Sequence, residues 1–210
     1  LEVFNKELPG KFTIVTNGTF ELVPYTGLIN YWISIDGTKE THDKIRGKSF
    51  EKIETNVRKY VKEAGGKVCI SMTVNSWNLH EVVEVAEHWK ELASGINYQL
   101  HTPFMENDPL WIPYGKERNE LLDKIISLKR KYPDYVIHEE SQINILRSPW
   151  GGDKTKPIAC PNWAILVLDH SADIKTPCCL GSAKPDDDKP ICEYCGMSNY
   201  SSLFIRGIHI

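Results

Sequence analysis

The feature that most restricts this chain is a close alternation of two hydrophobic periods. Short apolar runs rich in β-branched and aromatic residues stand at Lys11–Val15, Tyr31–Ile35, Val68–Val74 and Ile96–Phe104. Between them the apolar residues recur at helical spacing: Phe50, Ile53, Val57, Tyr60 and Val61 within Ser49–Ala64, then Val82, Val83, Val85, Ala86, Trp89 and Leu92 after Asn78. The first set predicts strands and the second helices. Strands that alternate with single helices pair in parallel through crossovers, so the fold class is α/β. VCISMTV at 68–74 reads as a strand buried on both faces. Gly65-Gly66 ends the first long helix, and Asn78 reads as the cap of the second. A further helix is predicted over Tyr114–Tyr132, with Leu121, Leu122, Ile125, Ile126 and Leu128 toward the core. Phe20–Leu28 reads as a short helix broken by Pro24 and Gly27, and 134–147 as a short strand (VIH) and a helix (SQINILR).

The densest local pattern is Tyr31 to Gly47, YWISIDGTKETHDKIRG. The strand stops at Asp36-Gly37, where glycine tolerates positive φ. A polar loop follows, and Ser49 then caps the helix. Ligands of parallel α/β proteins sit at the carboxyl ends of the strands, and Ser34, Asp36 and Arg46 project there. The plainer reading of Arg46 is an ion pair with Asp43 or Asp36, a common and weak surface feature.

A strand ending S-[IL]-D-G followed by T-x-E-x-H-D-x-[IL]-R-G resembles the fourth strand of radical S-adenosylmethionine (SAM) enzymes, in the branch with an auxiliary iron–sulfur domain. Thr16-Asn17-Gly18 is similar to the end of that family's third strand. The resemblance implies the last four units of an incomplete parallel (β/α)6-type barrel over residues 1–149. It implies reductive cleavage of SAM to a 5′-deoxyadenosyl radical that abstracts hydrogen from a substrate. Ser34 would then hydrogen-bond the SAM ribose or amino-acid moiety, Arg46 would pair with the SAM carboxylate, and Leu100 would contact the adenine. A core role is the alternative for Leu100. The family's Cys-x3-Cys-x2-Cys loop does not occur in this sequence, which starts at Leu1. The resemblance therefore places that loop, its 4Fe–4S cluster and the first two strand–helix units upstream, and implies that this segment alone is inactive.

Five of the six cysteines follow residue 159: Cys160, Cys178-Cys179, and Cys192-Glu193-Tyr194-Cys195. A linker of turn residues near 149 separates them from the barrel segment. A hairpin is expected between the first two groups, with strand 163–168, a turn at 169–173 and a return at 174–177. Four convergent thiolates imply a metal or cluster, and a four-cysteine zinc knuckle is physically sound. A disulfide framework suits an oxidising compartment, and no signal peptide is visible. The pattern is similar to the twitch or SPASM-type auxiliary domain of radical SAM enzymes. That similarity implies one auxiliary 4Fe–4S cluster on Cys160, Cys178, Cys192 and Cys195, serving electron transfer; adjacent Cys179 is the alternative to Cys178. In the sulfatase-maturing branch an aspartate base follows the second auxiliary cysteine, and here Cys179 takes that place. Cys69, inside a strand, reads as a small buried hydrophobe.

The formal net charge of −3 provides no broad basic field for nucleic acid. No apolar run reaches the length of a membrane span. The expected setting is cytoplasmic, with an unidentified peptide or small-molecule substrate and a protein electron donor or acceptor. A module that transfers electrons or binds zinc on an α/β scaffold without catalysis is the competing reading.

Overall fold

The computed structural model describes residues 10–149, 166–169, 171–175, 178, 180–184, 187 and 189–197. In chain order the elements are β1 (Phe12–Thr16), β2 (Leu28–Ser34), α1 (Lys39–Arg46), α2 (Phe50–Ala64), β3 (Val68–Val74), α3 (Val82–Trp89), β4 (Gly95–Leu100), α4 (Lys116–Lys131) and α5 (Glu140–Asn144). Single 3-10 turns follow at Ile145–Arg147 and Cys192–Tyr194. The four strands form one sheet in the order β1-β2-β3-β4. β1 with β2 and β2 with β3 are parallel, and Ser34 is in register with Ser71. This is the α/β architecture that the alternating periods predict.

The chain divides into two compact units. One comprises the residues up to Gln99 together with Lys124–Ile137; the other comprises Leu100–Asp123 and the residues from His138 onward. In the first, Ile33, Ile70, Met72, Val74 and Ile96 are fully buried, as are Val57 of α2 and Trp89 of α3. The Tyr60 ring of α2 meets Tyr31 of β2 edge-on at 5.1 Å, and Tyr98 Oη of β4 donates to the Val82 carbonyl of α3 at 2.7 Å. Helices thus cover one sheet face, and each large apolar side chain buried there contributes about 1.5–3 kcal/mol.

Several local readings change. The stretch after Gly37 is the helix α1 and not a loop. Its sequence, KETHDKIR, hides the fact because His42 is its only fully inward residue, so no apolar period shows. Residue 49 is the cap position of α2, but the Asp43 carboxylate serves the orphan donors: Oδ1 accepts the Ser49 and Phe50 N–H groups, both at 2.9 Å. Asn78 sits in the turn before α3, which starts only at Val82. Residues 21–25 carry no helix. VIH at 136–138 makes one parallel bridge, Ile96 with Val136, and SQINILR divides into α5 and a 3-10 turn. Gly65 ends α2 in the left-handed conformation at φ +62°, donating to the Tyr60 carbonyl, as expected.

In the second unit, the segment 191–196 lies along 100–114. Leu100 N–H donates to the Gly196 carbonyl, Gly196 N–H to Thr102 Oγ1, and Ile191 N–H to the Pro103 carbonyl. Trp111 and Tyr194 stack with centroids 4.3 Å apart. The expected hairpin is present where described: Leu168 bridges Ile174 antiparallel, and Asp169 N–H donates to the Asp173 carbonyl across the turn. Residues 163–165 of its first strand lie outside the described residues, and the boundary expected at 149 borders another such stretch.

Candidate functional site

The carboxyl end of β2 is built around Asp36, whose side chain is 6% exposed. Its Oδ1 accepts the Thr73 N–H at 3.0 Å, and its Oδ2 accepts Arg46 Nε at 2.5 Å. Asn78 Nδ2 donates to the Asp36 carbonyl and to the Thr73 carbonyl, both at 3.0 Å. One carboxylate thereby ties the ends of β2 and β3 to the last turn of α1. The plainer reading of Arg46 holds to this extent, but the pair is anchored on a buried acid and not on a solvated loop. Arg46 spends Nε on Asp36 and is 34% exposed, so its two Nη groups form an open edge of the kind that grips a carboxylate.

His42 and Glu81 complete the frame. The Asp36 N–H donates to His42 Nδ1 at 3.2 Å, which leaves the proton on Nε2 to reach Ser49 Oγ at 3.2 Å. Glu81 accepts the Thr38 N–H at 2.7 Å and Thr41 Oγ1 at 2.5 Å, placing a carboxylate at the start of α1. A Cβ on Gly37, at φ +144°, would stand 2.6 Å from Glu81 Oε2, so this turn requires glycine.

Burial pushes the His42 imidazole below its ordinary pKa, against the opposing pull of Asp36. The unfolded chain then takes up the proton more readily than the folded one. His42 therefore contributes its full stability above the ordinary value of 6.5 and loses it as pH falls below that. The urea midpoint is expected to drop from about pH 7.5 to about pH 5.5, and to drop less in His42→Gln. Equal slopes in the two proteins would remove His42 as the cause.

The sheet face opposite the helices is polar. Along β2 the half-buried positions are Leu28, Asn30, Trp32 and Ser34, with Ile29 exposed near the start of the strand; along β3 they are Ser71 and Thr73. These side chains join across strands: Thr13 Oγ1 donates to Asn30 Oδ1 at 2.9 Å, and Gln99 Nε2 to Thr73 Oγ1 at 3.1 Å. Asn97, 1% exposed, directs Nδ2 toward Ser71 Oγ at 3.5 Å, while its Oδ1 is buried with no hydrogen-bond partner among the described residues. β3 is therefore not apolar on both faces. The alternation Asn30-Trp32-Ser34, Ser71-Thr73, Asn97-Gln99 was available in the sequence and marks this face.

Ser34 ends β2 on the polar face, and alternation puts Asp36, with Arg46 attached, on the same side. Leu100 is the last residue of β4, 3% exposed, in the second unit. Cys178 is buried and Cys195 half-buried, both in that unit. Cys160 and Cys179 lie outside the described residues, as does the side chain of Cys192, and the described residues alone assemble no cluster of three or more metal-ligating groups. Cys69 is buried as expected. Burial raises its thiol pKa, and Asn30 Nδ2 reaches its Sγ at 3.4 Å.

No family model matches the sequence. The sporulation killing factor maturation protein SkfB of Bacillus subtilis (strain 168) is 41% identical over 68 residues, which is 32% of this chain and 17% of SkfB. Among solved structures, Streptococcus suis SuiB bound to precursor peptide SuiA superposes with a TM-score of 0.57 at 11% identity, covering 98% of this chain and 51% of SuiB. Native anSMEcpe with bound AdoMet and the Cp18Cys peptide gives a TM-score of 0.50 at 15% identity, covering 95% of this chain and 61% of that protein. The chain spans less than two thirds of each of these relatives. The structural likeness speaks for the fold and the SkfB match for kinship in sequence. Together with the Tyr31–Gly47 motif, they support the resemblance of this chain to the radical SAM enzymes.

Proposed function

We propose that this chain is the later barrel portion and cysteine-rich segment of a cytoplasmic radical SAM enzyme that modifies a peptide. The observation that carries the reading is the polar sheet face ending at the buried Asp36 and the open edge of Arg46. The buried, unmet Oδ1 of Asn97 supports a ligand with N–H or O–H donors on that face. The peptide substrate is suggested by SuiB, solved with a precursor peptide, and anSMEcpe, solved with a peptide and AdoMet. SAM and a reduced iron–sulfur cluster supply hydrogen-atom abstraction when bound. In that setting Arg46 holds the SAM carboxylate through its Nη edge while Asp36 fixes the guanidinium plane. Ser34 donates to the ribose or amino-acid moiety, and Leu100 gives an apolar contact to the adenine, its own N–H being engaged by Gly196. Cys160, Cys178, Cys192 and Cys195 hold an auxiliary cluster that exchanges electrons with a partner protein.

In enzyme that includes the Cys-x3-Cys-x2-Cys loop, Arg46→Ala is expected to weaken SAM binding about tenfold or more, measured by equilibrium dialysis, with bound iron unchanged. Arg46→Lys keeps the ion pair with Asp36 and should recover stability without recovering affinity, since an ammonium lacks the planar fork. Undiminished SAM binding in Arg46→Ala would assign the residue to the frame alone.

A further inference from the structure

The second unit holds a cavity of about 540 Å³, within the size range of ligand pockets. It is bounded by the turn after β4, which contributes Pro103, Met105, Glu106, Asp108 and Trp111, and by Tyr194 from the Cys192–Cys195 turn. Its character is unusual for an exposed loop region. Two stacked aromatic rings, a thioether 63% exposed and a proline ring form the walls. Among the described residues the charged lining groups are both carboxylates, Glu106 and Asp108, and neither lysine nor arginine lines it.

The acids are differently placed. Asp108 is held by His101 Nε2 at 2.9 Å and by the Leu110 N–H at 2.9 Å, and its side chain is 14% exposed. Glu106 is exposed at the rim. Arg118, the nearby cation, is committed elsewhere: Nη1 donates to the Ile112 carbonyl at 3.0 Å, and its guanidinium lies 4.3 Å from the Tyr114 ring centroid. The Trp111 ring carries a buried Nε1–H with no acceptor among the described residues. Aromatic faces beside the exposed Glu106 carboxylate attract a cation with an apolar stem, and an indole N–H without an acceptor suits a peptide carbonyl.

The geometry points to this cavity as a binding site for a cationic side chain, arginine or lysine, of a peptide. The ammonium or guanidinium meets Glu106 at the rim, and the methylene stem lies against the Trp111–Tyr194 stack and Met105. Because Tyr194 belongs to the Cys-x2-Cys turn, an occupant is seated beside the cysteine-rich segment. The inference deepens the peptide reading above by naming a preferred residue type, yet its test needs no SAM and uses the chain reconstituted anaerobically with iron and sulfide.

The probes are Nα-acetyl-arginine amide, Nα-acetyl-lysine amide and, as the uncharged isostere of arginine, Nα-acetyl-citrulline amide, titrated into the whole chain and followed by ligand-observed NMR. The arginine or lysine probe is expected to saturate with a Kd on the order of millimolar. Citrulline should bind about fivefold more weakly, the share expected of a cation facing aromatic rings and a carboxylate. Glu106→Gln, at an exposed position that leaves the fold intact, should weaken the cationic probes about threefold or more without affecting citrulline. Tyr194→Leu should weaken all three, and Glu106→Gln decides the matter if that variant misfolds. Absence of saturation by either cation, or equal binding of arginine and citrulline, overturns the site. Either failure leaves the radical SAM reading untouched, because that rests on SAM binding through Arg46.

Discussion

Asp36→Ala is expected to cost the first unit about 3 kcal/mol, and Asp36→Asn only about 1 kcal/mol, in urea denaturation. Asp36 performs two tasks that the variants separate. Its Oδ1 accepts the Thr73 N–H in a site 6% exposed, and alanine leaves that donor buried and unmet. Asparagine keeps a carbonyl oxygen there and loses the charge opposite Arg46. The second loss is small because Arg46 is a third exposed, so solvent screens the pair. A loss near 3 kcal/mol is a large part of the stability of an ordinary domain, so the alanine protein should show a visibly lowered midpoint. Equal costs for the two variants would mean that the ion pair, and not the strand-end hydrogen bond, does most of the holding.

Cys195→Ala is expected to bring bound iron, after anaerobic reconstitution with iron and sulfide, from about four atoms per chain to well under one. The prediction rests on the proposed auxiliary cluster, and on the small apolar content of the region from residue 150. There the large side chains are concentrated at 163–168 and 203–205. A segment with so few large apolar side chains needs a supplement to its core, and a metal centre is a usual one. Loss of the cluster should therefore make the region after residue 150 sensitive to protease while the barrel segment persists. Cys69→Ala is the control. Its thiol is buried 5% exposed in β3 with a raised pKa, so it is a poor ligand and its removal should leave iron content unchanged. Stoichiometric zinc in the wild-type chain, or full iron in Cys195→Ala, would overturn the assignment.

Much of the architecture was legible in sequence because burial imposes a period. β3 appears at the residues expected of it, and α2 ends at the Gly65-Gly66 pair. The hairpin turn at 169–173 was legible for another reason: Asp169 Oδ1 accepts the Ser171 and Asp173 N–H groups, so the turn is closed by its own residues. Where neither a period nor a local closure existed, the reading failed. α1 buries one histidine and looks like a loop. Residues 20–27 carry apolar side chains without helix or strand, and Phe20 is 81% exposed.

The site divides along the same line. Sequence by itself determined the strand and turn that carry Ser34, Asp36 and Gly37, together with the motif that sets Arg46 ten residues beyond Asp36. Only tertiary structure decided that Asp36 is buried, that Thr73 and Asn78 come from over thirty residues away to bind it, and that Glu81 anchors the start of α1. Local spacing encodes which side chains share a strand or a turn. The partner that satisfies a buried polar group is chosen by the parallel register of β2 with β3, and that register exists only once the helices have covered the opposite face.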